Sequence, residues 1–413
     1  MATVMPNQEQ DSCTSSYAQY IENAKVVESI GMQTESGSYH LHDVELDVQA
    51  YQLHSSDLEP SSQKQDTNDE TEENEPQARI VPLPNKELDG IWESLLFEKP
   101  IPSNLLRAAS RMLSFSSRKL NTWMINWNRL ILLYGPPGTG KTSLWQVRAL
   151  AQKLAIRLGK QFPQGKLIEI NANALSSKFF SESGKLVAKM FSTIESLLDQ
   201  EPDTLICVFI DEVESLTAKR EQSLKGNDPL DAMRAVNSLL TALDRLRHHP
   251  NVVVFCTSNL IAALDPAFLD RIDIKQFIPP PSVKEIYEIF RSCLQNLSEC
   301  GLIKGCTFDV LQRDPSNPET SLEYVCHPAE SLTLPAYEMS LWYQLFPESI
   351  PKRLGNIAQA SMGLSGRTLR RIPALSLVLH TTSATCTVEE AIVALGKGVE
   401  EELKTQAEAQ QGV

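Results

Sequence analysis

The sequence predicts an α/β fold: a parallel β-sheet with helices on both faces, joined to a small α-helical domain. Three observations predict it. The apolar runs "LILLY", "LIEI", "LICVFI" and "VVVFC" alternate with longer segments whose apolar residues recur at helical spacing, the pattern of a sheet buried on both faces. A glycine-rich loop follows the first run directly and opens a helix. The strands stop after "FIPPPS", and helical periods take over.

An acidic arm comes first. Residues 1–85 hold 16 acidic and 3 basic side chains, whereas the remaining 328 residues hold 36 and 35. Almost all of the net charge of −14 therefore belongs to the arm. Within it, "VELDVQAYQL" over 44–53 alternates enough for one strand. The Ser, Gln, Asp and Glu residues of 55–79 offer too little apolar surface to offset their ordering entropy, so a disordered linker is expected there and a largely disordered arm overall. The nearly neutral body lacks the broad basic surface that direct nucleic-acid binding rests on. Eight scattered cysteines without metal-ligand spacing read as reduced thiols of an intracellular protein. The first residues lack the apolar core of a secretory signal and no run of 18 apolar residues occurs, so no membrane partner is expected.

A large domain is expected over 86–278. "ELDGIWESLLFE" and "PSNLLRAASRMLSF" read as amphipathic helices, and "NRLILLYG" as a buried strand ending at Gly135. Apolar residues at 144, 147, 151, 154 and 158 share one face of the helix after the glycine loop. A second domain, 279–413, opens with a capping box of Ser282 and Glu285 and is helical apart from an irregular, proline-containing insertion near 312–350.

The chemistry sits at the ends of the apolar runs. Gly135, Pro136, Pro137, Gly138, Thr139, Gly140, Lys141 and Thr142 spell GxxxxGK[ST] between a strand and a helix. Glycines let backbone N–H groups turn inward onto phosphate oxygens, and the helix N-terminus favours an anion. Lys141 would reach the β- and γ-phosphates of ATP, and Thr142 would hold Mg²⁺. Asp211 ends the run "LICVFID", where ligands bind in open α/β sheets, and can hold Mg²⁺ through water. Glu212 follows it and can polarise the attacking water, which points to hydrolysis rather than phosphate binding alone. Asn259, after "VVVFCTS", can orient that water.

The order of these parts resembles AAA+ ATPases, a P-loop NTPase class with a helical lid. The blocks "WNRLILLYGPPGTGKTSL", "KFFSESGKLVAKMF", "FIDEVESL", "DRIDIKQFI" and "GLSGRTLRRIP" narrow the resemblance to the pachytene checkpoint AAA+ ATPases, the thyroid-receptor-interacting-protein-13 homologues. It is dense over 85–300, returns at 355–385, and fades in the arm, which the family uses to recognise substrates and adaptors.

The resemblance implies a homo-hexameric ring with ATP between subunits. It implies that Arg271 is an arginine finger reaching a neighbour's γ-phosphate, and that Arg367 is the sensor-2 arginine of the lid. Phe179 and Phe180 match the axial pore loop that grips a threaded chain, with Phe179 where the family usually has Trp. "SLTAKREQSLKGNDP" is either a second pore loop or a plain surface loop. The implied substrates are HORMA-domain proteins of meiotic chromosomes and of the spindle checkpoint, met directly or through an adaptor, in the nucleus and also the cytoplasm. Read from the residues alone, Arg271 fits a surface ion pair, the cluster Arg367, Arg370 and Arg371 fits a solvated helix face, and Phe180 fits a core. Two rivals remain at this point. A clamp-loader-like DNA motor would want basic pore residues in place of the aromatic pair. A non-hydrolysing scaffold would need neither Glu212 nor Asn259.

Overall fold

The computed structural model describes residues 3–4, 39–40, 48–49, 51–54, 78–92, 100–116, 118, 127–139, 144–172, 183–217, 229–312 and 322–411. The chain forms two compact units, Met1–Ala50 and Tyr51–Val413. In the first, Thr3–Val4 (β1) pairs antiparallel with Tyr39–His40 (β2).

The second unit is built on a six-stranded sheet. Its strands are Ala78–Leu83 (β3), Leu130–Tyr134 (β4), Gln164–Asn171 (β5), Thr204–Asp211 (β6), Val252–Ser258 (β7) and Ile274–Phe277 (β8), in the spatial order β3-β5-β6-β7-β4-β8. All pairs are parallel except β3 with β5. β6 and β7 are buried along almost their whole length, which explains their unbroken apolar sequence.

Helices cover both faces. On one lie Ser183–Gln200 (α3) and Pro229–Leu246 (α5), which pack Val187, Phe191, Leu239 and Leu243 against Ile206, Val208 and Val254. On the other lie Ile101–Ser116 (α1) and Leu144–Arg157 (α2), which pack Leu106, Leu113, Val147 and Leu154 against Ile131, Cys207 and Phe255. The apolar spacing read for α2 holds at 147, 151, 154 and 158, where Val147, Ala151, Leu154 and Leu158 are all buried; the side chain at 144 lies outside those described. Two short helices, Glu214–Thr217 (α4) and Pro266–Asp270 (α6), follow β6 and β7.

One buried cation helps join the layers. Arg129 takes a left-handed backbone (φ 55°) just before β4. Its guanidinium donates to the carbonyls of Val252, Arg247 and His249 and to the hydroxyl of Ser116, tying the end of α5, the start of β7 and the end of α1 together. Burial lowers its pKa to about 10, against the opposing charge of Asp273, so it stays protonated at neutral pH.

The lid core is separate. Val283–Glu299 (α7), Ile350–Ala360 (α9), Gly366–His380 (α10) and Val388–Gln411 (α11) enclose Phe290, Leu354, Leu369 and Leu395. The capping box at α7 forms as expected: Ser282 Oγ accepts from Glu285 N–H, and Glu285 returns the bond to Ser282 N–H at 2.7 Å.

Several expectations need correction. The segment 78–83, assigned to the arm, is the antiparallel edge strand β3, with Val81 and Leu83 buried; Pro82 is tolerated because an edge strand does not need every N–H. No strand forms at 48–49 or 51–53, and His54 makes only a single bridge to Asn85. The helix expected from Glu87 is a 3₁₀ turn, Lys86–Leu88, followed by a turn in which Gly90 takes φ +74°; 93–99 lie outside the described residues. The insertion near 312–350 is not wholly irregular. Leu322–Pro328 (β10) pairs antiparallel with Cys306–Gln312 (β9), and Tyr337–Ser340 (α8) follows. Cys306 and Phe308 bury one face of that hairpin, an alternation too short to stand out in the sequence. Among the described residues, no helix is long and apolar enough to cross a membrane.

Candidate active site

Strand order creates the site. β6, β7 and β4 are neighbours and parallel, so the segments that leave their carboxyl ends converge: Asp211 and Glu212, then Ser258 and Asn259, then the glycine loop.

The loop is close-packed where its glycines stand. A Cβ at Gly135 would lie 2.3 Å from the carbonyl oxygen of Ile278. Gly138 has φ +76°, and a Cβ there would fall 2.3 Å from Cβ of Ser365. That second contact reaches into the lid, for the N–H of Gly366 donates to the carbonyl of Gly138 at 2.7 Å. Thr139, buried, donates its hydroxyl to the carbonyl of Pro136 at 3.0 Å. Gly140, Lys141 and Thr142 lie outside the described residues, as do Phe179, Phe180 and most of the second pore-loop candidate.

Arg367 is exposed in the first turn of α10, next to the residue bonded to the loop. Ser365 caps this helix by accepting from Thr368 N–H at 3.1 Å. Arg371, from the same basic cluster, pairs with Glu402 of α11 at 2.8 Å.

Thr257 ties the two carboxylate-bearing residues to β7. Its hydroxyl donates to Asp211 and accepts from the Glu212 N–H at 3.1 Å. The next N–H, of Val213, donates to the Thr257 carbonyl at 3.0 Å. Between these fixed points Glu212 adopts a left-handed backbone with φ +52°, a strained state for a side chain of its size. Burial holds the Asp211 carboxyl above its ordinary pKa; the bond from Thr257 opposes this, and the charges of Glu212 and Glu214 add to it. A carboxylate so placed favours a cation beside it.

Asn259 is held by its backbone, whose N–H donates to Glu214 Oε1 at 2.9 Å. Its side-chain Oδ1 is buried with no hydrogen-bond partner among the described residues, as is Glu214 Oε2. An orphaned acceptor beside two carboxylates and a glycine cradle fits a bound group that brings donors and a cation, such as a hydrated metal–nucleotide.

Arg271 is elsewhere. It caps α6 and precedes β8, at the amino end of the sheet. Asn128 Nδ2 donates to its carbonyl at 2.8 Å, and the neighbouring Asp273 exchanges hydrogen bonds with Leu130 at the start of β4. The glycine loop leaves the other end of β4, five residues along at about 3.3 Å each, so roughly 16 Å separates Arg271 from its own loop. Its guanidinium pairs with Asp244 through Nε at 3.0 Å and Nη2 at 2.8 Å, and Nη1 donates to the Ala267 carbonyl at 2.8 Å. The ion-pair reading of this residue is thus realised within the subunit.

Sequence reasoning left several contributors without a role. Thr257 was visible only as a strand-ending polar residue, and Glu214 only as one more acid after Asp211. Ser365 carries an N-cap signal but nothing local reveals that it docks on the loop. Asp244 lies on a helix with no motif at all.

Comparison with known proteins agrees with this architecture. The family described as "ATPase family associated with various cellular activities (AAA)" matches residues 131–280, and the "TRIP13-like, AAA+ ATPase lid C-terminal domain" matches 282–403. The chain is 41% identical over 361 residues to the pachytene checkpoint protein 2 homolog of Homo sapiens, covering 87% of this chain and 78% of that one. The Danio rerio homolog is 43% identical over 342 residues, 82% of this chain and 74% of its own length. Among solved structures, C. elegans PCH-2 aligns with a TM-score of 0.62 at 32% identity, covering 81% of this chain and 78% of that one. A chain of the E. coli MS115-1 HORMA:CdnC:Trip13 complex aligns with a TM-score of 0.54 at 14% identity, over 77% of this chain and 94% of that one, a likeness of fold alone. The chain belongs to the pachytene checkpoint protein 2, or TRIP13-like, family of AAA ATPases, enzymes that bind and hydrolyse ATP.

Proposed function

We propose that this ATPase works as a homo-hexameric ring that remodels HORMA-domain proteins, with each site completed by Arg271 of an adjacent copy. The position of Arg271 carries the reading. It lies at the amino end of β4, roughly 16 Å from the loop at the carboxyl end, too far to serve its own phosphates. A planar, permanently charged guanidinium suits the charge that develops on a transferred phosphoryl group, and from this edge it is available only to a neighbouring copy.

Within one subunit, Lys141 and the loop from Gly135 to Thr142 would hold the phosphates of ATP, and Thr142 with Asp211 would hold Mg²⁺. When bound, Mg²⁺ neutralises charge on the phosphate oxygens. Glu212 polarises water from a backbone pinned by Thr257, and the open Oδ1 of Asn259 accepts a hydrogen bond from that water. Arg367 stands in the lid turn bonded to Gly138, so displacement of the glycine loop is felt directly by the lid. Phe179 and Phe180, by their match to the pore loop, would pass lid motion to a substrate segment. The presence of a HORMA protein beside Trip13 in the E. coli complex supports that substrate choice, and the checkpoint name of the relatives supports a checkpoint setting. We place the activity in the nucleus, on meiotic chromosomes, with spindle-checkpoint substrates and an adaptor as further expectations.

The test is phosphate release with and without a purified HORMA-domain protein, together with particle mass in ATP. The reading expects hexamers, stimulation by the HORMA-domain protein, and loss of that stimulation in Phe179→Ala. Particles that stay single in ATP, or rates indifferent to the HORMA-domain protein, would overturn it.

A further inference from the structure

We infer that Asp244 is a positioning residue for Arg271, holding the guanidinium in the pose in which it meets a neighbouring copy's phosphate. This rests on the trans role proposed above for Arg271.

The geometry goes beyond an incidental surface pair. Asp244 takes Nε and Nη2 together, at 3.0 and 2.8 Å, the side-on fork that sets both direction and rotation of a guanidinium. The carbonyl of Ala267 takes Nη1 at 2.8 Å. Among the described residues, three of the five N–H donors of this arginine are therefore engaged and two make no hydrogen bond.

Both partners hang from rigid supports. Asp244 lies on α5 between Leu243 and Leu246, which are 2% and 1% exposed in the core of the sheet face. Arg271 lies between Phe268 and Ile272, also buried in that core, and its carbonyl is bonded by Asn128 at the entrance to β4. The tip of the side chain is thus fixed to α5 and α6, and its backbone to the entrance of the strand that carries the phosphate loop. The pair itself is part-exposed, with side chains 28% and 41% accessible, so its worth to folding is small. A bond that adds little stability yet removes the rotational freedom of an essential cation acts through orientation, and a misplacement of about 1 Å costs about a hundredfold in rate.

The experiment compares Asp244→Ala, Asp244→Asn, Asp244→Glu, Arg271→Ala and the double variant Asp244→Ala/Arg271→Ala. Phosphate release should fall about tenfold to a hundredfold in Asp244→Ala with little change in KM for ATP, and Asp244→Glu should recover more than Asp244→Asn. The double variant should be no slower than Arg271→Ala alone, since both act through one guanidinium. A second readout needs no turnover. Labelling of Arg271 by phenylglyoxal, followed by peptide mass spectrometry on the nucleotide-free chain, should rise in Asp244→Ala while labelling of Arg367 stays constant. Unchanged thermal unfolding separates positioning from loss of fold. If Arg271→Ala hydrolyses ATP normally, the trans reading falls and this inference with it. If Arg271→Ala is slow but Asp244→Ala is normal, faster, or labelled no more than the parent, only the inference about Asp244 is overturned.

Discussion

Two charged residues of this molecule are treated in opposite ways. Asp211, on the carboxyl rim of the sheet, is an acid partly withdrawn from water, bonded by one hydroxyl and flanked by Glu212 and Glu214. Arg271, at the amino edge, is more exposed and its charge is met at once by Asp244, which holds its pKa above the ordinary value. The first residue sits in an arrangement that gains from an incoming cation. The second is complete within its own subunit and has donors left over. A site meant to bind in cis stores its need locally, as desolvation and backbone strain at Glu212. The role proposed for Arg271, action on another copy, would require it to be stable and oriented before that copy arrives, and its pairing with Asp244 is consistent with that requirement.

Substitutions can break or sharpen this contrast. The largest effect is expected at the amino edge. Arg271→Ala should lower phosphate release by about 10³-fold or more, the scale of arginine fingers, while chemical denaturation shows a change within about 1 kcal/mol because the ion pair is exposed. Loss of stability without loss of rate would reduce Arg271 to the plain ion pair.

Next comes the carboxyl rim, where Glu212→Gln should cut phosphate release by about 10²- to 10⁴-fold and leave binding of a fluorescent ATP analogue intact. Release at the parental rate would remove Glu212 from the chemistry and return the strained backbone to an unexplained feature.

Gly138→Ala probes the seam between loop and lid. It adds a Cβ at a left-handed residue and against Ser365, and should cost about 1–2 kcal/mol in thermal unfolding, together with weaker nucleotide binding.

The smallest effect is a gain. Asp211 carries a pKa raised above 3.8 by burial, so the native state binds more protons than the unfolded chain, and stability falls as pH rises from 3.8 through the raised value. Asp211→Asn should flatten that decline and raise metal-free stability at neutral pH by about 1 kcal/mol or less. A pH–stability profile that matches the parent would show that this carboxyl is not under strain.

Much of this was legible along the chain because it depends on neighbours in sequence. Runs such as "LICVFID" announce a doubly covered strand by composition, and "GPPGTGKT" announces its loop because backbone conformation there demands glycine at fixed spacing. The capping box of Ser282 and Glu285 is likewise a three-residue affair. What failed was weak or interrupted signal. β3 hides behind Pro82 and an acidic stretch, and the β9–β10 hairpin is split by residues 313–321.

By itself the sequence determined the fold class, the position of the glycine loop at the end of a buried strand and the family to which the chain belongs, and it nominated the residues expected to carry the chemistry. Only the tertiary structure decided which ends meet. Inserting β7 between β6 and β4 brings Thr257 onto Asp211 and Glu212, and docking α10 on the loop brings Gly366 to Gly138 across 228 residues of chain. The same ordering sends Arg271 to the far edge and into the grasp of Asp244, 27 residues earlier. Local patterns record which face of an element is apolar, whereas contacts between distant segments arise from strand order and layer packing, and no window of sequence encodes those.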